Sequence, residues 1–178
     1  DLCLSIKKLN IHWKCHTRSK LVTLPKVEIM KWAGCEECGV GVESADDYVL
    51  QLNNKQETCK DHIRAVEILH RGGLRAKTYF IAGLPGETDK TLEFNKEFFR
   101  TCKPDKWTLS TFTPYPGCDV YLNPSKYGVT IKDWDYSHWW NFVDKGYVHS
   151  LEGQTDEQLW NRYQIFYQWL IEGSWRRK

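Results

Sequence analysis

The sequence has little of what would place it in several common protein classes. Lys and Arg total 25 and Asp and Glu total 23 in 178 residues, so the net charge is only +2. The basic residues are scattered, whereas a nucleic-acid-binding protein would concentrate them on one face. No apolar run approaches the ~20 residues of a membrane span, and no secretory signal is visible. We therefore predict neither a membrane nor a nucleic-acid partner.

The seven cysteines do not form the framework of a disulfide-rich secreted protein. Their number is odd and their spacing is irregular, which indicates a reducing compartment, and we predict a cytoplasmic location. Cys35-x2-Cys38 with Cys59-x2-His62 is typical of a zinc site. However, a predicted strand of about six residues at ~3.3 Å each separates the two pairs by roughly 20 Å. We therefore predict buried structural cysteines instead.

Hydrophobic periodicity divides the first 120 residues into four strand–helix units. The predicted strands cover residues 10–15, 37–42, 77–82 and 107–112, with helical patterns between and after them. Strands and helices that alternate at this spacing form parallel sheets with right-handed crossovers. The sequence therefore predicts an α/β fold with four parallel strands.

The pattern changes from Tyr121 onward. Loop residues come first, followed by an aromatic cluster, Trp134–Trp140, that we expect to serve packing. Thr155 and Gln158 then form a capping box that opens a last helix. We divide the chain into a β/α part, residues 1–120, and a C-terminal aromatic-rich loop and helical extension, residues 121–178.

Glycine, proline and polar residues gather where the predicted strands end. The four segments are CHTR at 15–18, GVES at 41–44, GLPGE at 83–87 and TPYPG at 113–117. The opposite strand ends carry no comparable set. Because ligands of parallel α/β proteins bind at the C-terminal edge of the sheet, these segments predict a binding site for a small polar ligand.

The order of these motifs resembles a known family. Gly34-Cys35 followed by GVES, then YFIAGLPGET and FTPYPGC, resembles the radical S-adenosylmethionine (SAM) superfamily. The similarity is greatest to the branch whose members often carry a cobalamin-binding domain. The HWKCHTR run resembles the third strand of that branch, and the tail from NPSKYG at 123–128 through DWDYSHWW to the final helix resembles the C-terminal extension of some members.

The resemblance implies a partial (β/α) barrel of six strands, of which this chain would hold the last four. The family binds a 4Fe-4S cluster through CxxxCxxC after its first strand, and this sequence contains no such motif. We therefore expect the C-terminal half of a radical SAM core, separated from its N-terminal half. A degenerate homologue without a cluster is the alternative. In such a half-barrel the strand at residues 10–15 would have an unpaired edge, so we expect the isolated chain to be poorly stable or to aggregate.

The resemblance also implies which residues bind SAM. Glu43 and Ser44 match residues that contact the ribose or amino group, and Arg18 is suited to the methionine carboxylate. The remaining matches lie on the adenine or substrate side: Ile81, Gly83, Leu84, Pro85, Phe112, Thr113 and Tyr115. We expect Glu87 to cap the first turn of its helix rather than to bind a ligand. His12, His16 and His138 have no recognisable acid–base partner in the sequence.

The sequence thus predicts part of a radical SAM enzyme that supplies the SAM-binding wall. Its cofactors would be SAM and a 4Fe-4S cluster held by residues outside this chain, which alone would be inactive. Cobalamin, bound by a further domain, stays open as a third cofactor. The partners would be the N-terminal half of the barrel and an unknown substrate. The alternative function is a non-catalytic half-barrel that binds a nucleotide-like ligand or a protein.

Overall fold

The computed structural model describes residues 2–140 and 146–176. The strands within these ranges are β1 (Trp13–Thr17), β2 (Cys35–Glu43), β3 (Arg75–Ala82), β4 (Lys106–Thr111), β5 (Val129–Ile131) and β6 (His149–Leu151). The helices are α1 (Leu2–Lys8), α2 (Leu24–Trp32), α3 (Asp47–Leu52), α4 (Cys59–Arg71), α5 (Asp89–Cys102), α6 (Asp119–Leu122) and α7 (Asp156–Ile171).

Strands β1 to β4 form one parallel sheet in chain order. This confirms the predicted α/β fold with four parallel strands. Within the described residues the sheet does not close into a barrel, because β1 and β4 each pair on one side only. All four strands point the same way, so their C-terminal ends meet at one edge.

The first strand begins later than the sequence indicated. Residues 10–15 were predicted, whereas β1 runs from Trp13 to Thr17. Asn10 adopts a left-handed φ of 49° after α1, which ends the helix and delays the start of pairing. The predicted bounds were therefore wrong by two to three residues at each end, although the strand itself exists.

One face of the sheet is covered by helices and carries the main core. Phe80 on β3 is 1% exposed and lies against Phe98 and Phe99 of α5, with ring centroids 5.5 and 5.1 Å away. Phe166 of α7 completes the cluster at 5.8 Å. Burying one such ring contributes about 2–3 kcal/mol. Because Phe166 supplies one of these rings, α7 is part of the core that packs against the sheet.

The opposite face of the sheet carries polar side chains and glycines. Lys14 and His16 of β1, Gly39 and Gly41 of β2 and Tyr79 of β3 occupy the alternate positions that the core does not use. We call this face the open face. It extends to the C-terminal edge of the sheet, where the four strands end.

Residues 121–140 and 146–176 contain more structure than was expected. Strands β5 and β6 pair antiparallel, but three residues are too few to show the alternation by which strands are recognised. The capping box of Thr155 and Gln158 opens α7 as predicted. Within the aromatic cluster Trp139 is buried and Trp134 and Trp140 are exposed. Part of residues 121–178 lies outside the described ranges, and the division at residue 120 stays a prediction.

All seven cysteines are free, and Cys35 and Cys38 are buried as predicted. No three His, Cys, Asp or Glu side chains within residues 2–140 and 146–176 are grouped so as to hold a metal ion. No helix in these ranges is long and apolar enough to cross a bilayer.

Candidate functional site

Two adjoining cavities lie where the parallel strands end. The strand-end cavity, of about 450 Å³, is lined by Glu43, Ile81, Leu84 and Phe112, among others. The open-face cavity, of about 560 Å³, continues down the sheet. Glu43 and Lys55 line both cavities, so this pair stands at the junction between them.

Glu43 reaches this junction through a strained backbone. The pairing of β2 with β3 shifts between Gly41 and Glu43, and Glu43 has a φ of 65°. This left-handed conformation costs a residue with a side chain roughly 1–2 kcal/mol. The carboxylate folds back over Gly41, where a Cβ would lie 2.5 Å from Glu43 Oε1. The bulge therefore aims a carboxylate into the cavity at an energetic cost, which is typical of a functional site.

A buried carboxylate arranges the cations beside Glu43. The side chain of Glu57 is fully buried and lies 3.7 Å from Arg18 Nε and 3.8 Å from Lys55 Nζ. Lys55 Nζ also lies 3.1 Å from Glu43 Oε1. Arg18 donates through Nη2 to the Lys55 carbonyl at 2.7 Å. Cations and carboxylates therefore alternate in the order Arg18, Glu57, Lys55 and Glu43, and the buried Glu57 holds both cations in place.

Much of the lining of the strand-end cavity is apolar. Ile81 from β3, Leu84 from the following turn and Phe112 after β4 line the same cavity as Glu43. A carboxylate facing an apolar wall suits a ligand with a flat apolar ring on one side and hydroxyl or ammonium donors on the other.

Glu87 shapes the turn that supplies this wall. Its Oε2 accepts hydrogen bonds from the backbone N–H of Gly83 at 2.6 Å and of Leu84 at 3.2 Å. The prediction that Glu87 caps the first turn of its helix is wrong, because α5 begins at Asp89 with Thr88 as the N-cap. Burial raises the pKa of Glu87 to about 7, although Arg162 at 3.7 Å and the two N–H groups oppose this.

The same turn is held from the C-terminal extension. The carbonyl of Gly83 accepts a hydrogen bond from His149 Nε2 at 3.0 Å. Burial lowers the pKa of His149 to about 4, so the ring is neutral near pH 7. Gly83 has a φ of 82°, and a Cβ there would collide with the ring of Tyr147. The turn therefore depends both on glycine and on residues after position 146.

The structure brings together part of the predicted SAM-binding set. Glu43, Ile81, Leu84 and Phe112 share the strand-end cavity, and Arg18 lines the adjoining one. Four others make contacts within the surrounding loops: Ser44 Oγ accepts from Asp46 N, the Pro85 carbonyl from Asn53 Nδ2, and Thr113 and Tyr115 donate to the carbonyls of Trp140 and Trp139. Gly83 takes part through its backbone. Binding of SAM by any of these residues stays a prediction.

Sequence reasoning identified Arg18 but missed Lys55 and the histidine contacts of the site. Lys55 follows two asparagines in a loop and carries no motif that marks it. His16 Nε2 lies 3.0 Å from the Tyr79 hydroxyl, and only the alternation of strand residues could have indicated that both share a face. His12 pairs with Glu36 at 3.0 Å and His138 with Asp133 at 2.7 Å, partners that could not be recognised from the sequence.

Fold and site together define a β/α protein with parallel strands and a ligand cavity at the C-terminal sheet edge. A family comparison narrows this class, because the sequence pattern of the Radical SAM superfamily matches residues 1–99. The chain therefore belongs to the radical SAM superfamily.

Curated relatives include methyltransferases and cyclases. The chain is 29% identical over 161 residues to an uncharacterized methyltransferase of Pyrococcus horikoshii, covering 89% of the chain and 34% of the relative. It is 27% identical over 139 residues to the anaerobic magnesium-protoporphyrin IX monomethyl ester cyclase of Rubrivivax gelatinosus, covering 77% and 24%. The chain thus spans about a third or less of the length of these relatives.

Solved structures share the fold. Coproporphyrinogen III oxidase from Escherichia coli, a radical SAM enzyme, superimposes with a TM-score of 0.69 at 13% identity, over 96% of this chain and 36% of the oxidase. The radical SAM methyltransferase TsrM from Kitasatospora setae, solved with cobalamin and a [4Fe-4S] cluster, gives 0.53 at 17% identity, over 61% and 24%.

Proposed function

We propose that this chain supplies the SAM-binding wall of a radical SAM enzyme. The observation that carries the proposal is the strained backbone of Glu43, which places a carboxylate in a cavity that the apolar Ile81, Leu84 and Phe112 also line. In the complete enzyme, a 4Fe-4S cluster held elsewhere would supply the electron for reductive cleavage of SAM.

Each side of the cavity suits one part of SAM. The Glu43 carboxylate can accept two hydrogen bonds from the ribose diol or from the methionine ammonium group. The adenine ring would pack against Ile81, Leu84 and Phe112. Arg18 Nη1 makes no hydrogen bond within the described residues, and this group would bind the methionine carboxylate. Lys55 Nζ lies 3.1 Å from Glu43 Oε1 and neutralises the carboxylate. This ion pair would rearrange when Glu43 binds the ligand.

The residues present do not fit a 4Fe-4S cluster. No CxxxCxxC occurs in the sequence, and the described residues bring no three suitable ligands together. The proposal therefore assigns the cluster ligands to polypeptide outside residues 1–178. Cobalamin enters the proposal only as the cofactor of a further domain, and the compartment we propose is the cytoplasm.

The surface beside β1 supports docking of the N-terminal half of the barrel. The outer edge of β1 has no strand partner within the described residues. Helix α1 has no buried residue, and Leu2 and Leu9 are 72% and 65% exposed. An unpaired edge flanked by exposed leucines is suited to receive another parallel strand and its helix.

The proposal is tested by SAM binding to the longer polypeptide that we propose, in which this chain is joined to the N-terminal half of the barrel. We expect Glu43→Gln to weaken SAM binding at least tenfold, because one charge-assisted hydrogen bond is worth roughly 1.5–3 kcal/mol. The matched control is Glu93→Gln on α5, whose side chain is 62% exposed. Affinities would be measured by anaerobic equilibrium dialysis after iron reconstitution, with SAM cleavage as a second readout.

Two outcomes would contradict the proposal. Equal SAM affinity for Glu43→Gln and the parent would show that the Glu43 carboxylate does not bind SAM. Binding of AMP with no binding of SAM would favour the non-catalytic alternative, a half-barrel for a nucleotide-like ligand.

A further inference from the structure

A trough crosses the open face below the SAM-binding residues. His16, Gly39 and Lys77 lie side by side in register on β1, β2 and β3. This row lies two residues before Gly41, which is about 7 Å deeper at ~3.3 Å per residue. Since Gly39 and Gly41 have no side chains, β2 forms a floor on which neighbouring side chains lie, the Tyr79 ring over Gly39 and the Glu43 carboxylate over Gly41.

A histidine–tyrosine pair spans this floor. The Tyr79 hydroxyl lies 3.0 Å from His16 Nε2, and the ring centroids are 5.1 Å apart. The ring crosses directly above Gly39, where a Cβ would lie 2.7 Å from Tyr79 Cε2. Any residue other than glycine would break this contact. If the phenol donates to Nε2, the imidazole carries its hydrogen on Nδ1 and presents a further donor.

A cation without a carboxylate partner lies beside the pair. Lys77 Nζ sits 4.8 Å from the centre of the Tyr79 ring, and the half-buried lysine has no ion pair within residues 2–140 and 146–176. Its neighbours Arg75 and Lys106 share Glu37, at 3.8 and 2.7 Å. A ring face stabilises an ammonium group by only about 0.5–2 kcal/mol. The trough therefore carries positive charge that the described residues do not neutralise.

We propose that this trough binds an oxyanion of the substrate, a carboxylate or a phosphate group. Lys77 would form the ion pair, and the His16–Tyr79 pair would donate hydrogen bonds. Assignment of the anion to the substrate rests on the proposed function, whereas anion binding itself does not. His16 and Tyr79 line the open-face cavity together with Arg18, and Lys77 lies two residues before Tyr79 on β3. The proposed anion site is therefore the deep end of that cavity, whereas Arg18 follows the end of β1.

The test uses the longer polypeptide with labelled histidine, and acetate and inorganic phosphate as probes. We expect one of the probes to move the imidazole resonances of His16, which are identified by their loss in His16→Gln. Lys77→Met should weaken this binding about tenfold, and Lys77→Arg should retain it. Lys90→Met on the exposed surface of α5 removes the same charge and should have no effect.

The two probes separate the two chemistries of the anion. Tighter binding of phosphate assigns a phosphate group, and equal or tighter binding of acetate assigns a carboxylate. Failure of both probes to move His16, or equal losses in Lys77→Met and Lys90→Met, would overturn the inference.

SAM affinity is measured on the same samples. If SAM binds and neither anion does, the trough inference fails and the proposed function stands. If an anion binds and SAM does not, the proposed function fails and the anion site stands. Tyr79→Phe should weaken the anion several-fold and leave SAM affinity unchanged, since the hydroxyl contacts His16 and none of the predicted SAM-binding residues.

Discussion

Replacement of Glu87 by glutamine should change how stability depends on pH. Glu87 has a pKa of about 7 in the folded protein against an ordinary value of 4.5. Ionising it in the folded protein therefore costs about 3 kcal/mol more than in the unfolded chain, at ~1.4 kcal/mol per pH unit. The cause is burial, which the two N–H groups and Arg162 only partly offset. Glutamine keeps the shape of the neutral acid and cannot ionise.

The sign of the effect follows from which state binds the proton more tightly. Below pH 4.5 the carboxyl is neutral in both states, and the group contributes no pH dependence. Between pH 4.5 and 7 the unfolded chain loses its proton while the folded protein retains it, so the free energy of unfolding falls. Above pH 7 the full loss is present. Glu87→Gln should therefore gain about 3 kcal/mol relative to the parent between pH 4.5 and pH 8.

Urea unfolding followed by tryptophan fluorescence, at several pH values, measures this difference. Both proteins would be assayed together with the N-terminal half that we propose, so that they unfold cooperatively. Glu93→Gln is the matched control, because its side chain is largely exposed, and its difference from the parent should stay flat. A Glu87→Gln variant that instead loses ground as pH rises would refute the reasoning, since it would show that Arg162 and the N–H groups stabilise the ionised form.

Three further predictions concern the turn, the core and the sheet edge. Gly83→Ala should destabilise the protein by about 3 kcal/mol. Alanine would be strained in the left-handed backbone conformation of this position, and its Cβ would overlap the Tyr147 ring. An unchanged urea midpoint would contradict this. Phe80→Ala should cost about 3–5 kcal/mol in the same assay, and a cost below 1 kcal/mol would show that the aromatic cluster is not the main core. The chain of residues 1–178 alone should aggregate in size-exclusion chromatography through its unpaired β1 edge, and a monomer that unfolds cooperatively would argue against this.

Sequence periodicity was sufficient for the parallel sheet and insufficient for its boundaries. The strand around Phe80 carries both β-propensity and a clear turn at Gly83, so its type and end were predictable. The start of β1 was not, because it depends on the left-handed backbone of Asn10. Strands β5 and β6 depend on each other for their hydrogen bonds, and no local signal of three residues reveals such a pair.

The site divides in the same way. Residues at strand ends, such as Glu43 and Ile81, could be placed because the C-terminal edge of a parallel sheet is known in advance. Lys55 could not, because its position depends on the buried Glu57 and on the path of the loop after α3. Polar partners that are far apart in sequence are set by tertiary packing, which leaves no periodic trace.

The hydrogen bonds and charges around Glu87 bear on how this enzyme class can be divided and recombined. Arg162 of α7 and His149 of β6 contact Glu87 and Gly83, and Gln154 donates to the Glu87 carbonyl at 2.8 Å. A cut near residue 120 would remove all three contacts, and with them the counter-charge of Glu87. Chimaeras that exchange the C-terminal segment between homologues should therefore exchange the GLPGE turn with it, because the contacts between the two depend on residues from both.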